Sequence, residues 1–269
     1  MKLCAFDIDG TLIDDTMENG EFVVYPEVVG ALNAFLDQGN PILLASGRSL
    51  PGLVQFAQKF HHPEQIYYST SNGTCLFSSD GRLLYSAYIP YSVFLKMAQL
   101  YGGHEDWTYM CYAPGNVVGY IGKPNFAPEE ARFNKMTCED FSSKNFPGDF
   151  QIEKASMTTA SIDAHTLPLY PELADYQSYA TSSFFFEIVA KGVSKAKTVA
   201  ILAEKLQIAP NDIYTFGDGE NDLSMVANYH GTATGNAITK VKEAAQFVAP
   251  SAAERGVAVA MKEHWKLIG

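Results

Sequence analysis

The stretch FDIDGTL, from Phe6 to Leu12, places two carboxylates, Asp7 and Asp9, one residue apart directly after the apolar run LCAF. Three other places carry side chains suited to the same chemistry. They are Ser46-Gly47-Arg48 after the apolar ILLA, Lys195 at the start of a helical stripe, and GDGEND, with Asp218, Asn221 and Asp222, after IYTF. Each has a plain alternative. Asp9 can cap a turn, Ser46 can cap the next helix, and Asn221 or Asp222 can cap LSMVAN. Lys195 can be one solvated lysine among several. Together they make a chemical set. Acids gathered at one sheet edge repel one another unless a divalent cation lies among them, and oxygen-only ligands point to Mg²⁺. Ser46 and Lys195 then supply donors for an anion lying against the metal. A carboxylate nucleophile, a second carboxyl group for acid–base work, a metal and a lysine suffice for phosphoryl transfer.

Open α/β sheets gather functional loops at the carboxyl ends of their strands, so strands must stand behind these residues. KLCAF, PILLAS, QIYYS and DIYTFGD read as such strands, with HGTATG and QFVAP as shorter ones. Pro26 opens a helix whose apolar residues Val28, Val29, Leu32, Phe35 and Leu36 fall at helical spacing, and Gly39 closes it. Leu53, Phe56, Ala57 and Phe60 form a second stripe, Val199, Leu202, Ala203 and Leu206 a third, and Val257, Met261, Trp265 and Ile268 a closing helix. Near Ser79 the texture changes. SSDGRLLYSAYI reads as a hairpin turning at Asp80-Gly81. From about Leu84 to about Glu187 aromatic residues and alternating patterns, such as WTYMCY and NVVGYIG, suggest an α+β unit with an antiparallel sheet. The expected architecture is α/β: a Rossmann-like parallel-sheet core, residues 1–83 and 188–269, interrupted by an inserted α+β domain over 84–187.

Composition narrows the partners. The 269 residues are 47% hydrophobic, enough for a sizeable core. A net charge of −11 argues against nucleic acid, whose phosphates need clustered Lys and Arg. An acidic protein that handles anions must collect positive charge locally, from a metal, a lysine or helix N-termini. The four cysteines, Cys4, Cys75, Cys111 and Cys138, lie far apart without a Cys-x-x-Cys pair, which argues against a disulfide framework or zinc site. Charged residues at Lys2 and Asp7 leave no room for a signal peptide, and no apolar run reaches membrane-spanning length. The expectation is a cytoplasmic protein with no nucleic-acid and no membrane partner.

DIDGT, SGR, SK and GDGEND, in this order, resemble the four motifs of the haloacid-dehalogenase-like (HAD) superfamily. The likeness is closest to its Cof-type phosphatases, which carry a type-IIB cap between the second and third motifs, and TSNGT (Thr70 to Thr74) resembles their cap entry. The resemblance implies a Mg²⁺-dependent phosphatase acting on small phosphorylated metabolites, with sugar phosphates its usual range. Asp7 would be the nucleophile that forms an aspartyl-phosphate. Asp9 would protonate the leaving oxygen and then activate water. The Asp7 carboxylate, the Asp9 backbone carbonyl and Asp218 would hold Mg²⁺. Asp222 would support the metal through water or orient Lys195. Ser46, Lys195 and Asn221 would bind phosphoryl oxygens, with Gly47 and Asn72 in support. Alternate residues of an extended chain share one side, so Asp7 and Asp9 can face one phosphoryl group as the chain turns at Gly10.

Two departures stand out. Ala196 follows Lys195 where the family usually has Gly, and Thr234 stands where Met is common; both should adjust packing more than chemistry. Asp9 argues against dehalogenation, and the position of Gly10 argues against an EF-hand loop. A phosphomutase-type isomerase and a non-enzymatic sugar-phosphate sensor remain as alternatives, although nothing but chemistry calls for both Asp7 and Asp9. The inserted domain is expected to exclude water from the site and to choose the leaving group. Tyr109, Tyr112, Arg132, Asn134 and Lys135 are the candidates there, with cap core and solvated surface as their plainer roles.

Overall fold

In a computed structural model that describes residues 1–14, 17–18, 21–159 and 162–269, the chain forms two compact units. The first holds Met1–Gly47, Leu53–Leu84 and Ser194–Gly269, and the second holds Arg48–Gly52 and Tyr85–Val193.

The first unit is built on an eight-stranded sheet. Its order is Phe247–Val248, His230–Ala233, Ile213–Gly217, Leu3–Phe6, Ile42–Ala45, Ile66–Thr70, Cys75–Phe77 and Leu83–Ser86. The central strands LCAF, ILLA and IYTFG are buried throughout, as strands covered on both faces must be. Pairing is parallel from Phe247–Val248 across to Ile66–Thr70, and antiparallel between Ile66–Thr70 and Cys75–Phe77. The link between the last two is the short turn Ser71–Gly73, and a parallel crossover needs a dozen residues or more. Strand order reverses at Leu3–Phe6. Within this sheet, Ile42–Ala45 and the strands that follow it up to Leu83–Ser86 lie on one side of it, and Ile213–Gly217 with its successors lies on the other. That reversal point is where an open sheet leaves a crevice for a ligand.

Helix Pro26–Leu36 buries Val28, Ala31, Leu32, Phe35 and Leu36, with Val29 half-buried at the edge of the stripe. Each fully buried side chain of this size contributes about 1.5–3 kcal/mol. Leu53, Phe56 and Ala57 are buried in helix Leu50–Ala57, and Phe60 packs just beyond its end with its ring 5.7 Å from that of Phe56. Helix Lys195–Leu206 starts at Ser194, whose hydroxyl accepts from the Lys197 N–H. The closing helix is shorter than its apolar spacing suggests. An α-turn over Gly256–Val259 widens to a π-turn over Ala260–His264. Trp265 lies past it, donating its indole N–H to Thr232 Oγ1 at 2.8 Å, and Ile268 falls outside the helix.

The second unit centres on a six-stranded sheet ordered Thr137–Asp140, Val117–Ile121, Thr108–Ala113, Lys154–Thr158, Phe185–Ala190 and Tyr176–Ser182. The expected antiparallel sheet is found except at one edge, where Val117–Ile121 and Thr137–Asp140 run parallel. Helix Ala127–Phe133 lies between them in sequence and carries the chain back to its starting edge. Strand Phe185–Ala190 pairs on both sides within this sheet, so the unit's chain continues past residue 187. One sheet face carries an apolar cluster that includes Phe94, Met97, Trp107, Cys111, Met157 and Ile188. On the other, Met110, Tyr112 and Val118 pack with Ala127 and Ala131. Among the described residues no helix is long and apolar enough to cross a membrane.

Candidate active site

The site of the first unit assembles at the carboxyl ends of four adjacent strands. Asp7 follows Leu3–Phe6, and its backbone N–H still donates to Phe216 O at 3.0 Å, so the carboxylate leaves the sheet from a fixed point. The chain then closes tightly. Ile8 O accepts from the N–H groups of Thr11, Leu12 and Ile13, and Gly10 N–H donates to Ile13 O at 2.8 Å. Asp9 rides this turn, exposed, while Asp7 is buried. Gly10 is required twice over. Its φ of +83° suits glycine, and a Cβ there would lie 2.3 Å from Asp218 Oδ2.

Asp218 leaves the end of Ile213–Gly217 and accepts from Thr11 Oγ1 at 3.1 Å. Asp222 lies four residues on, fully buried. One of its oxygens accepts from the backbone N–H groups of Asp218 and Gly219, each at 3.0 Å. The other accepts from Lys195 Nζ at 2.5 Å. Lys195 also donates to Asp7 Oδ1 at 2.5 Å and is completely buried. Its aim is set by the helix start. Gly73 (φ +99°) passes so close that a Cβ would lie 2.3 Å from Ser194 O, and Thr198 Oγ1, in contact with Ser69 Oγ at 2.8 Å, lies one turn along.

Ser46 is buried at the end of Ile42–Ala45; its N–H donates to Ser69 O and its carbonyl accepts from Asn72 N–H, both at 3.0 Å. Asn72, buried with a left-handed backbone (φ 59°), accepts from Asn221 Nδ2 at 2.9 Å. Gly47 passes Asn72 closely enough that a Cβ would sit 3.3 Å from Asn72 Oδ1. Of the residues singled out by sequence, Asp7, Lys195, Asp218 and Asp222 therefore meet in one cluster. Ser46, Gly47, Asn72 and Asn221 form a second chain of contacts on the neighbouring strand ends, and Asp9 stands on the turn beside Asp7.

The electrostatics are lopsided. Burial, and then the Asp222 charge, push the Asp7 carboxyl well above its usual range; Lys195 pulls it back, while Asp218 and Asp9 add to the rise. Burial and Asp222 push Asp218 up to about 6. Burial alone would lower the Lys195 pKa, but the Asp222 and Asp7 charges outweigh it and hold the ammonium above its ordinary value. Oxygen atoms of Asp7, Asp218 and Asp222 lie within 4.8 Å of one another, with one lysine as counter-charge. Such a cluster fits a hard divalent cation, whose ligands are carboxylate and carbonyl oxygens. Both oxygens of Asp222 are already engaged, one by Lys195 and the other by two backbone N–H groups.

Sequence reasoning gave no site role to three side chains here, Thr234 having been marked for packing alone. Thr11 follows Gly10 and grips Asp218. Thr234 Oγ1 and Asn236 Nδ2 both donate to Gly10 O, at 3.2 and 2.8 Å. Thr11 lies within the DIDGT stretch, and a hydroxyl next to a turn glycine was its signal. Asn236 bonds to backbone 226 positions away, which no local pattern reveals.

In the second unit, three of the five expected candidates are engaged within the unit. Tyr109 OH donates to Tyr101 O, and buried Tyr112 donates to Glu130 Oε1 at 2.5 Å. Asn134 is buried, accepting from Ser49 N–H at 2.9 Å and donating to Glu130 Oε1 at 3.0 Å. Arg132 and Lys135 are exposed.

The sequence profile of haloacid dehalogenase-like hydrolases matches residues 4–261. YkrA of Bacillus subtilis (strain 168) is 43% identical over 267 residues, covering 97% of each chain. The 5-amino-6-(5-phospho-D-ribitylamino)uracil phosphatase YcsE of the same organism is 27% identical, covering 99% of this chain and 96% of its own. The crystal structure of a haloacid dehalogenase-like hydrolase from Bacteroides thetaiotaomicron superposes with a TM-score of 0.79 at 26% identity, covering 97% of this chain and 98% of that one.

Proposed function

Because this chain belongs to the haloacid dehalogenase-like hydrolase family and is a phosphoric monoester hydrolase, we propose that it hydrolyses small phosphomonoesters, sugar and polyol phosphates foremost, through an aspartyl-phosphate on Asp7. The observation that carries the reading is buried Lys195, held at 2.5 Å from both Asp7 Oδ1 and Asp222 Oδ1. That contact fixes the direction of the Asp7 carboxylate for attack.

In the first step an Asp7 oxygen bonds to phosphorus, the ester P–O bond breaks, and Asp9 gives its proton to the departing oxygen. In the second, Asp9 takes a proton from water as that water attacks phosphorus, and the bond to Asp7 breaks. Lys195 stabilises the transferring group's charge, aided by donors from Ser46 and Asn221, and Asp222 holds Lys195 in line. Gly47 and Asn72 support the Ser46 end. The Asp7 carboxylate, the Asp9 backbone carbonyl and Asp218 would hold Mg²⁺. When bound, Mg²⁺ polarises the phosphoryl oxygens and offsets the excess acidic charge.

The polyol preference draws on YcsE, whose name describes a phosphorylated ribityl chain. The second unit would set that preference and the first unit the chemistry. Phosphate release from a panel of sugar, polyol, nucleotide and alkyl phosphates, with Mg²⁺ and then with EDTA, tests the whole reading. Turnover of polyol phosphates that EDTA abolishes is expected. Phosphate moved within a sugar rather than released would favour a mutase, binding without turnover a sensor, and full activity in EDTA would remove the metal from the account.

A further inference from the structure

The acid-bearing loops of the first unit are tied together by one short segment, residues 234–238, just after strand His230–Ala233. Thr234 N–H donates to Gly217 O at 3.2 Å and Ile238 N–H to Asp218 O at 3.0 Å, which fixes the loop that carries Asp218. From the same segment, Thr234 Oγ1 (3.2 Å) and Asn236 Nδ2 (2.8 Å) converge on Gly10 O, in the loop that carries Asp7 and Asp9. The segment is itself anchored: Asn236 Oδ1 accepts from Ala252 N–H at 2.9 Å, and Gly235 N–H donates to Pro250 O at 3.1 Å. The Asn236 amide has only one orientation that satisfies both partners, because Gly10 O can only accept and Ala252 N–H can only donate.

A single donor would satisfy the Gly10 carbonyl. Two donors from different side chains also fix its direction. The Gly10–Thr11 peptide lies between Asp9, one residue before it, and the Thr11 hydroxyl that grips Asp218 Oδ1. Thr234 is fully buried, so its hydroxyl has few other partners to choose from.

We infer that Thr234 and Asn236 are positioning residues for the reaction: they clamp the Gly10 carbonyl and so hold the Asp9 carboxyl where it meets the leaving oxygen. This rests on the acid–base role given to Asp9 above. A misplacement near 1 Å costs about 10²-fold in rate, and most where proton transfer limits the step. Thr234→Val keeps the shape and loses the donor, Thr234→Ser keeps the donor, and Asn236→Ala removes the second grip.

The test combines turnover with an activity-independent readout. In the Thr234→Val/Asn236→Ala variant, kcat for an alkyl phosphate should fall about 10²-fold. The fall for nitrophenyl phosphate, whose leaving group needs little proton donation, should be roughly tenfold smaller. KM should move little, and Thr234→Ser should behave as the unaltered enzyme. Equal losses on both esters, or a Thr234→Ser loss matching Thr234→Val, would overturn the inference. Amide hydrogen exchange over residues 8–13 should quicken in the double variant and in Thr234→Val, the isosteric change least able to unfold the chain, but not in Thr234→Ser. Unchanged exchange there overturns the clamp whether or not any ester is turned over. An unaltered enzyme that releases phosphate from no ester would instead count against the proposed function, leaving the exchange result to decide the clamp.

Discussion

Each unit buries a lysine, and the two lysines keep different company. In the first, Lys195 faces Asp7 and Asp222, with Asp218 within reach of both, so acid outnumbers base. In the second, Lys154 pairs with Glu187, both 3% exposed, and its ammonium lies 4.2 Å from the centre of the Tyr112 ring. Tyr112 passes a hydrogen bond to Glu130, whose carboxyl is raised chiefly by burial and lowered again by Lys154, the Tyr112 bond and Arg48. Charges here roughly balance within the network. The contrast separates two uses of buried polarity. A balanced pair can hold a structure together but asks for nothing more. An acid-rich cluster, with Asp218 pushed up to about 6 and Asp7 higher than usual, is left wanting positive charge that the chain itself does not supply.

If that contrast is right, damage to the first network should appear in turnover and damage to the second in stability. The largest effect is expected from Asp7→Asn, which removes the nucleophile; phosphate release should fall by 10⁴-fold or more, on the order of the loss when a nucleophile is deleted elsewhere. Residual activity near the unaltered level would break the comparison outright. Next comes Asp9→Asn. Release from sugar phosphates should fall by about 10²–10⁴-fold in the first step, whereas transfer from nitrophenyl or acetyl phosphate should suffer far less. Steady-state assays on both ester classes give the ratio, with Mg²⁺ binding checked in the variant because the Asp9 carbonyl is a proposed ligand. Lys195→Ala should cost about 10²–10³-fold in rate and weaken binding as well. Normal kinetics would mean that Lys191 or Lys197 fills the role. The smallest effect belongs to the second unit. Breaking its pair with Lys154→Met should cost about 3 kcal/mol of stability by denaturant unfolding, whereas replacing Lys154 and Glu187 together by apolar residues should be close to neutral. A double replacement as costly as the single one would show that this network, too, is more than a balanced pair.

The same contrast explains what the sequence made legible. LCAF, ILLA and IYTF announce buried strands because nearly every residue is apolar, and each ends in a polar group, so both the sheet and its loaded edge can be read locally. The meeting of Asp7, Asp218, Asp222 and Lys195 follows from those strand ends lying side by side. Less legible were features whose partners are backbone groups far along the chain. Asn236 looks like an ordinary loop residue, and Thr234 like a packing change, until Gly10 O is placed beside them. The parallel pair in the second unit was hidden because alternation marks a strand without giving its direction; only helix Ala127–Phe133 between the two strands decides that. The closing helix was overread, because apolar spacing continues through Ile268 while the backbone widens at Ala260–His264 and stops. Tyr112 and Asn134 were marked as candidates for contacting the leaving group; both lie buried in hydrogen bonds within the second unit, and sequence alone cannot separate an inward network from an open binding face.

The claim at the centre is that Asp7 carries the phosphoryl group between two steps and that Asp9 serves both. Rapid mixing of the Asp9→Asn variant with nitrophenyl phosphate and Mg²⁺, followed by acid quench and peptide mapping, tests it most directly. The account predicts a burst of nitrophenolate near one equivalent per active site, slow turnover afterwards, and phosphate attached to the peptide at Asp7, with no burst from Asp7→Asn. A variant that binds Mg²⁺ yet shows no burst, loses equal activity on both ester classes and leaves Asp7 unmodified would contradict it.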